Sequence, residues 1–261
     1  MKKWKRIAIK VGTSTICYPS GRLNIRTVEK LVRVLSDLAN ASNEIILISS
    51  GAIAMGVGKL NLEKRPDDIV GKQACAAVGQ CELMYIYDKL FSEYNHTVAQ
   101  VLLTGEDMEN TDRRSSFQNT MFKLLKYHAI PILNENDTMS TTEITSIGDN
   151  DTLAALVAKY TACDLLVLLS DIDGLYTADP HTDTNAKLIT HVSSIDTTIR
   201  NHAKGTNSKQ GTGGMITKLN AAELCMNNGI DMIIANGSDP LILYDIMEKK
   251  PVGTLFEASE E

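Results

Sequence analysis

Apolar runs of strand length alternate with amphipathic helical stretches along most of the 261-residue chain. This is the pattern of a mainly parallel sheet covered by helices on both faces. "RIAIKV" (6–11) predicts the first strand. A helix follows over 25–40, where Val28, Leu31, Val32, Leu35 and Leu38 recur at helical spacing. "EIILIS" (44–49) predicts a second strand, and a long helical stretch runs from Pro66 to about Tyr94. "TVAQVLLT" (97–104), a helix over 115–128 and "AIPILNEN" (129–136) complete the first half. The threonine-rich "DTMSTTEITSIG" (137–148) breaks the rhythm and predicts a hairpin or flap at the sheet edge.

The second half resumes with a helix over 150–162, the strand "DLLVLLS" (164–170), the turn "DIDGLYTADP" (171–180) and a mixed segment to Gly205. The glycine-rich "GTGGMITK" (211–218) then leads into a helix, followed by the strand "DMIIAN" (231–236), a helix over 240–250 and a short final strand "VGTLFEA" (252–258). The expected fold is α/β, a mainly parallel open sheet sandwiched by helices. It forms one domain over 1–261 with two lobes, approximately 1–162 and 163–261.

A hydrophobic content of 43% suits a folded globule, and the net charge of -6 with a pI near 5.4 gives no basic footprint for nucleic acid or an anionic membrane. Small-molecule chemistry is favoured. Five cysteines, with no C-x-x-C pair, fit reduced, buried or semi-buried thiols and a cytoplasmic location. The basic start "MKKWKRIAIK" has too short an apolar run for a signal peptide, and the longest uncharged stretch is too short to cross a bilayer. The five histidines show no metal-ligand spacing. Within the long helix, Cys75, Cys81, Met84, Tyr85 and Tyr87 read as core or subunit contacts rather than redox groups.

In open α/β sheets, ligands bind beyond the carboxyl ends of the strands, so the polar residues there form one set. They are Lys10, Gly12, Thr13 and Ser14; Ser49, Ser50 and Gly51; Asn134, Glu135, Asn136 and Asp137; and Ser170, Asp171 and Asp173. Lys10 inside "IAIKVG" either meets an anion or carboxylate or sits at an edge and snorkels to water. "GTGGMITK" fits neither the Walker nor the dinucleotide glycine template, yet glycines before a helix N-terminus suit an anion; a plain surface turn is the alternative. "GDND" (148–151) offers a helix cap or a carboxylate cluster. Two lysines, glycine N–H groups and a positioning aspartate are the parts that phosphoryl transfer requires.

Six segments together resemble the amino acid kinase family: "KVGTS" (10–14), "SSGAIAMG" (49–56), "ILNEND" (132–137), "GDND", "GLYTADP" (174–180) and "GTGGMITK". The likeness covers essentially the whole chain, in order, and is similar in particular to members that phosphorylate glutamate at the start of proline synthesis. It implies ATP as phosphoryl donor, Mg²⁺, L-glutamate as acceptor, L-proline as a feedback inhibitor acting near the 138–147 flap, and a homo-oligomer, dimer or tetramer. It also implies the short form without the C-terminal PUA-type domain.

The catalytic residues implied are Lys10, Lys218 and Asp151, the lysines on the moving phosphoryl group and the aspartate holding both. Ser50, Asp137 and Asn150 would bind glutamate, with Gly51, Asn134 and Asp149 in support. The ATP side would comprise Lys10, Gly12, Ser170, Asp171, Thr212, Gly213, Gly214, Met215, Ile216, Thr217 and Lys218. Alternatives are a sibling kinase acting on aspartate, acetylglutamate, carbamate or UMP, and a catalytically silent nucleotide sensor.

Overall fold

The computed structural model describes residues 3–139, 150–180, 182–204 and 214–259. From the start of the chain come β1 (Arg6–Val11), the single turn α1 (Thr13–Ile16), α2 (Ile25–Asn40), β2 (Glu44–Ile48), α3 (Ala52–Lys59) and α4 (Ile69–Ser92). They are followed by β3 (Val98–Leu103), α5 (Gly105–Glu109), α6 (Thr111–Lys126) and β4 (Ile130–Glu135). The second half holds α7 (Asn150–Tyr160), β5 (Leu165–Ser170), β6 (Leu175–Tyr176), β7 (Leu188–Ile189), β8 (His191–Val192) and α8 (Thr197–Lys204). It ends with α9 (Met215–Met226), β9 (Asp231–Asn236), α10 (Ile242–Met247) and β10 (Thr254–Phe256).

Eight strands form one sheet in the order β3-β4-β2-β1-β5-β9-β10-β8, every pair parallel except β9 with β10. The pleat sorts each strand onto two cores. Ile7, Ile9 and Val11 of β1 join Leu165, Val167 and Leu169 of β5 on the face covered by α2 and α4. Ala8 joins Leu166 and Leu168 on the opposite face, under α7 and α9. Strand β1 pairs with β2 on one side and β5 on the other, so the chain reverses its direction of growth at β1/β5, where open α/β sheets form a ligand crevice.

The predicted mainly parallel sheet is present, with several departures. Helix α3 lies where no element was expected. It packs against α4 so closely that a Cβ on Gly56 would lie 1.9 Å from the Cys75 carbonyl oxygen, and one on Gly79 1.8 Å from that of Ala52. Only glycine fits at this crossing. Helix α6 starts at Thr111 rather than 115, because the Asn110 side chain accepts from the N–H groups of Asp112 and Arg113, both at 3.0 Å. "DIDGLYTADP" is more than a turn: its Leu175–Tyr176 pairs antiparallel with β7. Helix α10 is shorter than 240–250, ending before Lys249, which takes a left-handed φ of 58°. The final strand β10 runs against β9. All five cysteines are free thiols, but Cys81 is exposed, contrary to the buried or semi-buried expectation, and so is Tyr85, whereas Cys75 and Tyr87 are core. Of the expected flap over 137–148, residues 140–148 lie outside the described residues. Among the described residues, no helix is long and apolar enough to cross a membrane.

Candidate active site

Lys10 follows Ala8 on the β1 face that lies under α7, and the first turn of α7 presents Asp151 to it. The Lys10 Nζ donates to Asp151 Oδ1 at 2.7 Å. Lys218 Nζ, from the first turn of α9, donates to the other oxygen, Oδ2, at 2.9 Å. Thr217 Oγ1 lies 3.4 Å from that same oxygen and donates to the Gly214 carbonyl at 2.7 Å. One carboxylate thus gathers two ammoniums from elements 208 positions apart in sequence. Side-chain exposures of 2% for Asp151, 7% for Lys218 and 13% for Lys10 remove most of the water that would screen the three charges. Burial pushes the Asp151 carboxyl up, but the two ammoniums outweigh it and hold the group below the usual carboxylate range.

The edge-and-snorkel reading of Lys10 does not describe this geometry. The glycine-rich turn stops short of its lysine: α9 begins at Met215, so Met215 to Lys218 are helical. Gly214 caps α9 with no side-chain hydrogen bond, and Gly12 and Gly51 cap α1 and α3 in the same way. By contrast, α2 and α4 begin with side-chain caps from Asn24 and Asp68. Uncapped N-termini leave N–H donors for an anion. Gly12 has neither a positive φ nor a crowded Cβ position, its nearest neighbour being 3.8 Å away, so internal packing alone does not demand glycine there. Thr212, Gly213 and Asp149 lie outside the described residues.

On the β2/β4 side, Asn150 Nδ2 donates to Ser50 Oγ at 2.6 Å, linking α7 to the second residue before α3. Gly51 takes a φ of 92°, which glycine adopts without steric cost. Asn134 is buried at the end of β4. Its Oδ1 accepts from the Glu135 N–H at 2.9 Å, and its Nδ2 donates to Gln80 Oε1 at 2.8 Å. Asp137 follows, half-buried; burial and the nearby Glu135 carboxylate push its carboxyl up to about 6, against the opposing pull of Arg65.

On the β5/β9 side, Ser170 Oγ donates to Asp171 Oδ1 at 3.1 Å, and the Gly237 N–H donates to the Ser170 carbonyl at 2.7 Å. A cavity of about 370 Å³ opens beside them, lined in part by Asp173, Asn236, Ser238, Leu241 and Ile242. Asn236 Nδ2 and Tyr176 OH each donate to Asp173 at 2.8 Å, holding its carboxyl below the usual range. A larger hollow of about 600 Å³ lies elsewhere, by Trp4, Asp231 and Lys249, and includes none of these groups.

Three contributors escape the sequence reading. Gln80 interrupts the buried face of α4 formed by Ala76, Leu83 and Tyr87, and a polar residue in an apolar stripe is its signal. Tyr87 looks like core, yet its hydroxyl lies 3.0 Å from Ser49 Oγ. Asn236 ends β9 directly beside Ser170 on β5, so collecting strand ends finds it once β9 is included.

The arrangement is a buried cationic pair at a topological switch point, with glycine-capped helix N-termini and a cavity on one side. The family model described as the amino acid kinase family matches residues 5–236. The chain is 51% identical to a protein named glutamate 5-kinase from Clostridium perfringens, across 100% of this chain and 98% of that one. It is 50% identical to one of the same name from Listeria innocua, across 100% and 96%. Among solved structures, UMP kinase from Ureaplasma parvum superposes with a TM-score of 0.65 at 16% identity, covering both chains fully. Isopentenyl phosphate kinase from T. acidophilum gives 0.64 at 15% identity, covering 96% of this chain and 99% of the other. The two structures share the fold. With the family model spanning most of the sequence and full-length relatives at half identity, this chain belongs to the amino acid kinase family.

Proposed function

We propose that the chain transfers the γ-phosphoryl group of ATP to the side-chain carboxylate of L-glutamate, giving L-glutamyl 5-phosphate and ADP, the first step of proline biosynthesis. The observation that carries this reading is the attachment of Lys10 and Lys218 to the two oxygens of buried Asp151. A carboxylate oxygen of glutamate attacks the γ-phosphorus while the bond to the β–γ bridging oxygen breaks, and the electron pair leaves with ADP. The nucleophile is already ionised at neutral pH, so no general base is needed. What remains is alignment and neutralisation of charge, which two preorganised ammoniums supply.

Asp151 holds both lysines in register. Gly12 and Gly51 offer N–H groups to phosphate and substrate. Ser50 and Asn150 hold glutamate with Asn134 and Asp149 in support, and Asp137 receives its ammonium. Ser170 and Asp171 face the base and ribose, and Thr212 to Lys218 enclose the phosphates. The two lobes, 1–162 and 163–261, carry glutamate and nucleotide respectively. Among the described residues there is no group of three or more metal-ligating side chains. Mg²⁺, held largely by substrate phosphates and water, would neutralise the triphosphate. The same reading includes a cytoplasmic homo-oligomer and L-proline as feedback inhibitor, which light scattering and an inhibition curve test.

The deciding assay measures ADP release and hydroxylamine-trapped acyl phosphate with glutamate, aspartate, acetylglutamate, carbamate or UMP as acceptor. Glutamate alone should support rapid ADP release, with hydroxamate formed in step. Turnover on another acceptor, or on none, overturns the proposal.

A further inference from the structure

Gln80, buried in the inner face of α4, pairs through its side chain with Asn134, 54 residues away in sequence. The direction of that contact is fixed from the backbone outward. The Glu135 N–H can only donate, so the Asn134 oxygen faces it and the Asn134 NH₂ must face Gln80, which therefore presents its carbonyl oxygen. Both side chains are more than nine-tenths buried, so water does not readily replace a lost partner.

The neighbouring Gly79 meets α3 at the Ala52 carbonyl, one residue beyond Gly51, so α4 touches the start of α3 and the end of β4 through consecutive positions. Those are the two segments that carry Ser50 and Gly51 on one side and Asn134 to Asp137 on the other. Tyr87, two helical turns further along α4, adds the contact with Ser49 Oγ at 3.0 Å.

We propose that Gln80 is a positioning residue for the acceptor half of the site, orienting Asn134 and, through it, the turn that carries Asp137 toward the amino acid substrate. This rests on the glutamate reading above. It commits Gln80 to acceptor binding and leaves the nucleotide half untouched.

A double-mutant cycle in the full chain tests it, with Gln80→Leu, Asn134→Ala and the double variant assayed for KM of glutamate, KM of ATP and kcat. Gln80→Leu should raise the glutamate KM about tenfold, the scale of one lost buried hydrogen bond, and leave the ATP KM within twofold. In the Asn134→Ala background, adding Gln80→Leu should change the glutamate KM by less than about twofold, because the partner is already gone. Gln80→Glu keeps an acceptor oxygen and should recover most of the loss. Equal rises in both KM values, multiplying effects in the double variant, or an unchanged glutamate KM overturn the proposal. Gln80→Met replaces the leucine variant if that one does not fold, and failure of both to fold assigns Gln80 a purely structural part. If wild-type protein turns over a different acceptor, the glutamate reading fails, while the same cycle run with that acceptor still decides the role of Gln80.

Discussion

Replacing Asp151 with asparagine should separate nucleotide binding from turnover. The native carboxylate accepts from Lys10 at 2.7 Å and Lys218 at 2.9 Å through different oxygens, and both lysines are largely withdrawn from water. An amide has one acceptor oxygen, and its NH₂ group faces the second ammonium as a donor. Two ammoniums flanking a single side chain lie roughly 6 Å apart, where like charges at an effective dielectric of 20 repel by about 3 kcal/mol. Removing one member of a buried ionic cluster costs about 3–5 kcal/mol. At the lower end, the ligand-free variant should melt about 6–12 °C below the parent. The triphosphate of ATP then supplies the missing negative charge. Its binding relieves the repulsion and should tighten by up to about 100-fold. Turnover nevertheless falls by about 100-fold or more, since the ammoniums are no longer held where charge develops. Calorimetric melts with and without ATP, a nucleotide titration and steady-state kinetics measure the three quantities. An unchanged melting temperature together with unchanged ATP affinity would refute the electrostatic account. The sign in pH is also fixed. A depressed Asp151 pKa gives stability that is present above the ordinary carboxylate value and lost as pH falls through the folded value, so this acid limb should be missing from the variant.

Lys10→Ala and Lys218→Ala should each lower kcat by about 100-fold or more with the fold intact, and normal turnover in both removes them from the reaction. Asp137, pushed up to about 6, is mostly protonated at pH 5 and ionised at pH 7, so the glutamate KM should fall across that interval; Asp137→Asn should abolish the inflection, and its persistence there would assign it elsewhere. A raised carboxyl pKa also means that this group's stability contribution is complete below its unfolded value and declines as pH rises toward 6, which urea titrations at pH 4 and 7 can follow in the asparagine variant. Gly79→Ala places a methyl 1.8 Å from the Ala52 carbonyl oxygen, which the backbone can relieve only by moving α3 from α4; a loss of about 1–3 kcal/mol with a raised glutamate KM is expected, and a neutral result contradicts the crossing.

What could be read from the sequence depended on whether a residue obeyed or broke local rules. Strands β5 and β9 are built on unbroken apolar runs, and β1 on one broken only by Lys10, legible because both faces are buried by helices. Helix α3 was not legible: "AIAMGVGK" has two glycines and no regular polar face, and its buried Ala52, Met55 and Gly56 pack at a crossing that only the tertiary structure defines. The reversed direction of β10 could not be read either, because three residues carry no information about orientation. Lys10 and Lys218 stood out for the opposite reason. A lysine on a buried strand face costs solvation, and a lysine in the first turn of a helix opposes its dipole, so neither position favours stability. Asp151 offsets both costs, but an apolar pair could fill the same space without needing it. A fold that keeps two such charges facing one point has retained them against its own stability, which is why the site is visible as local error. Gln80 breaks a rule too weakly to stand out alone, since glutamine is a good helix former and the partner that gives it meaning is 54 residues away. Charge conflicts therefore mark the Lys10–Asp151–Lys218 cluster from sequence, whereas the neutral Gln80–Asn134 amide pair becomes legible only when the strands and helices are brought together.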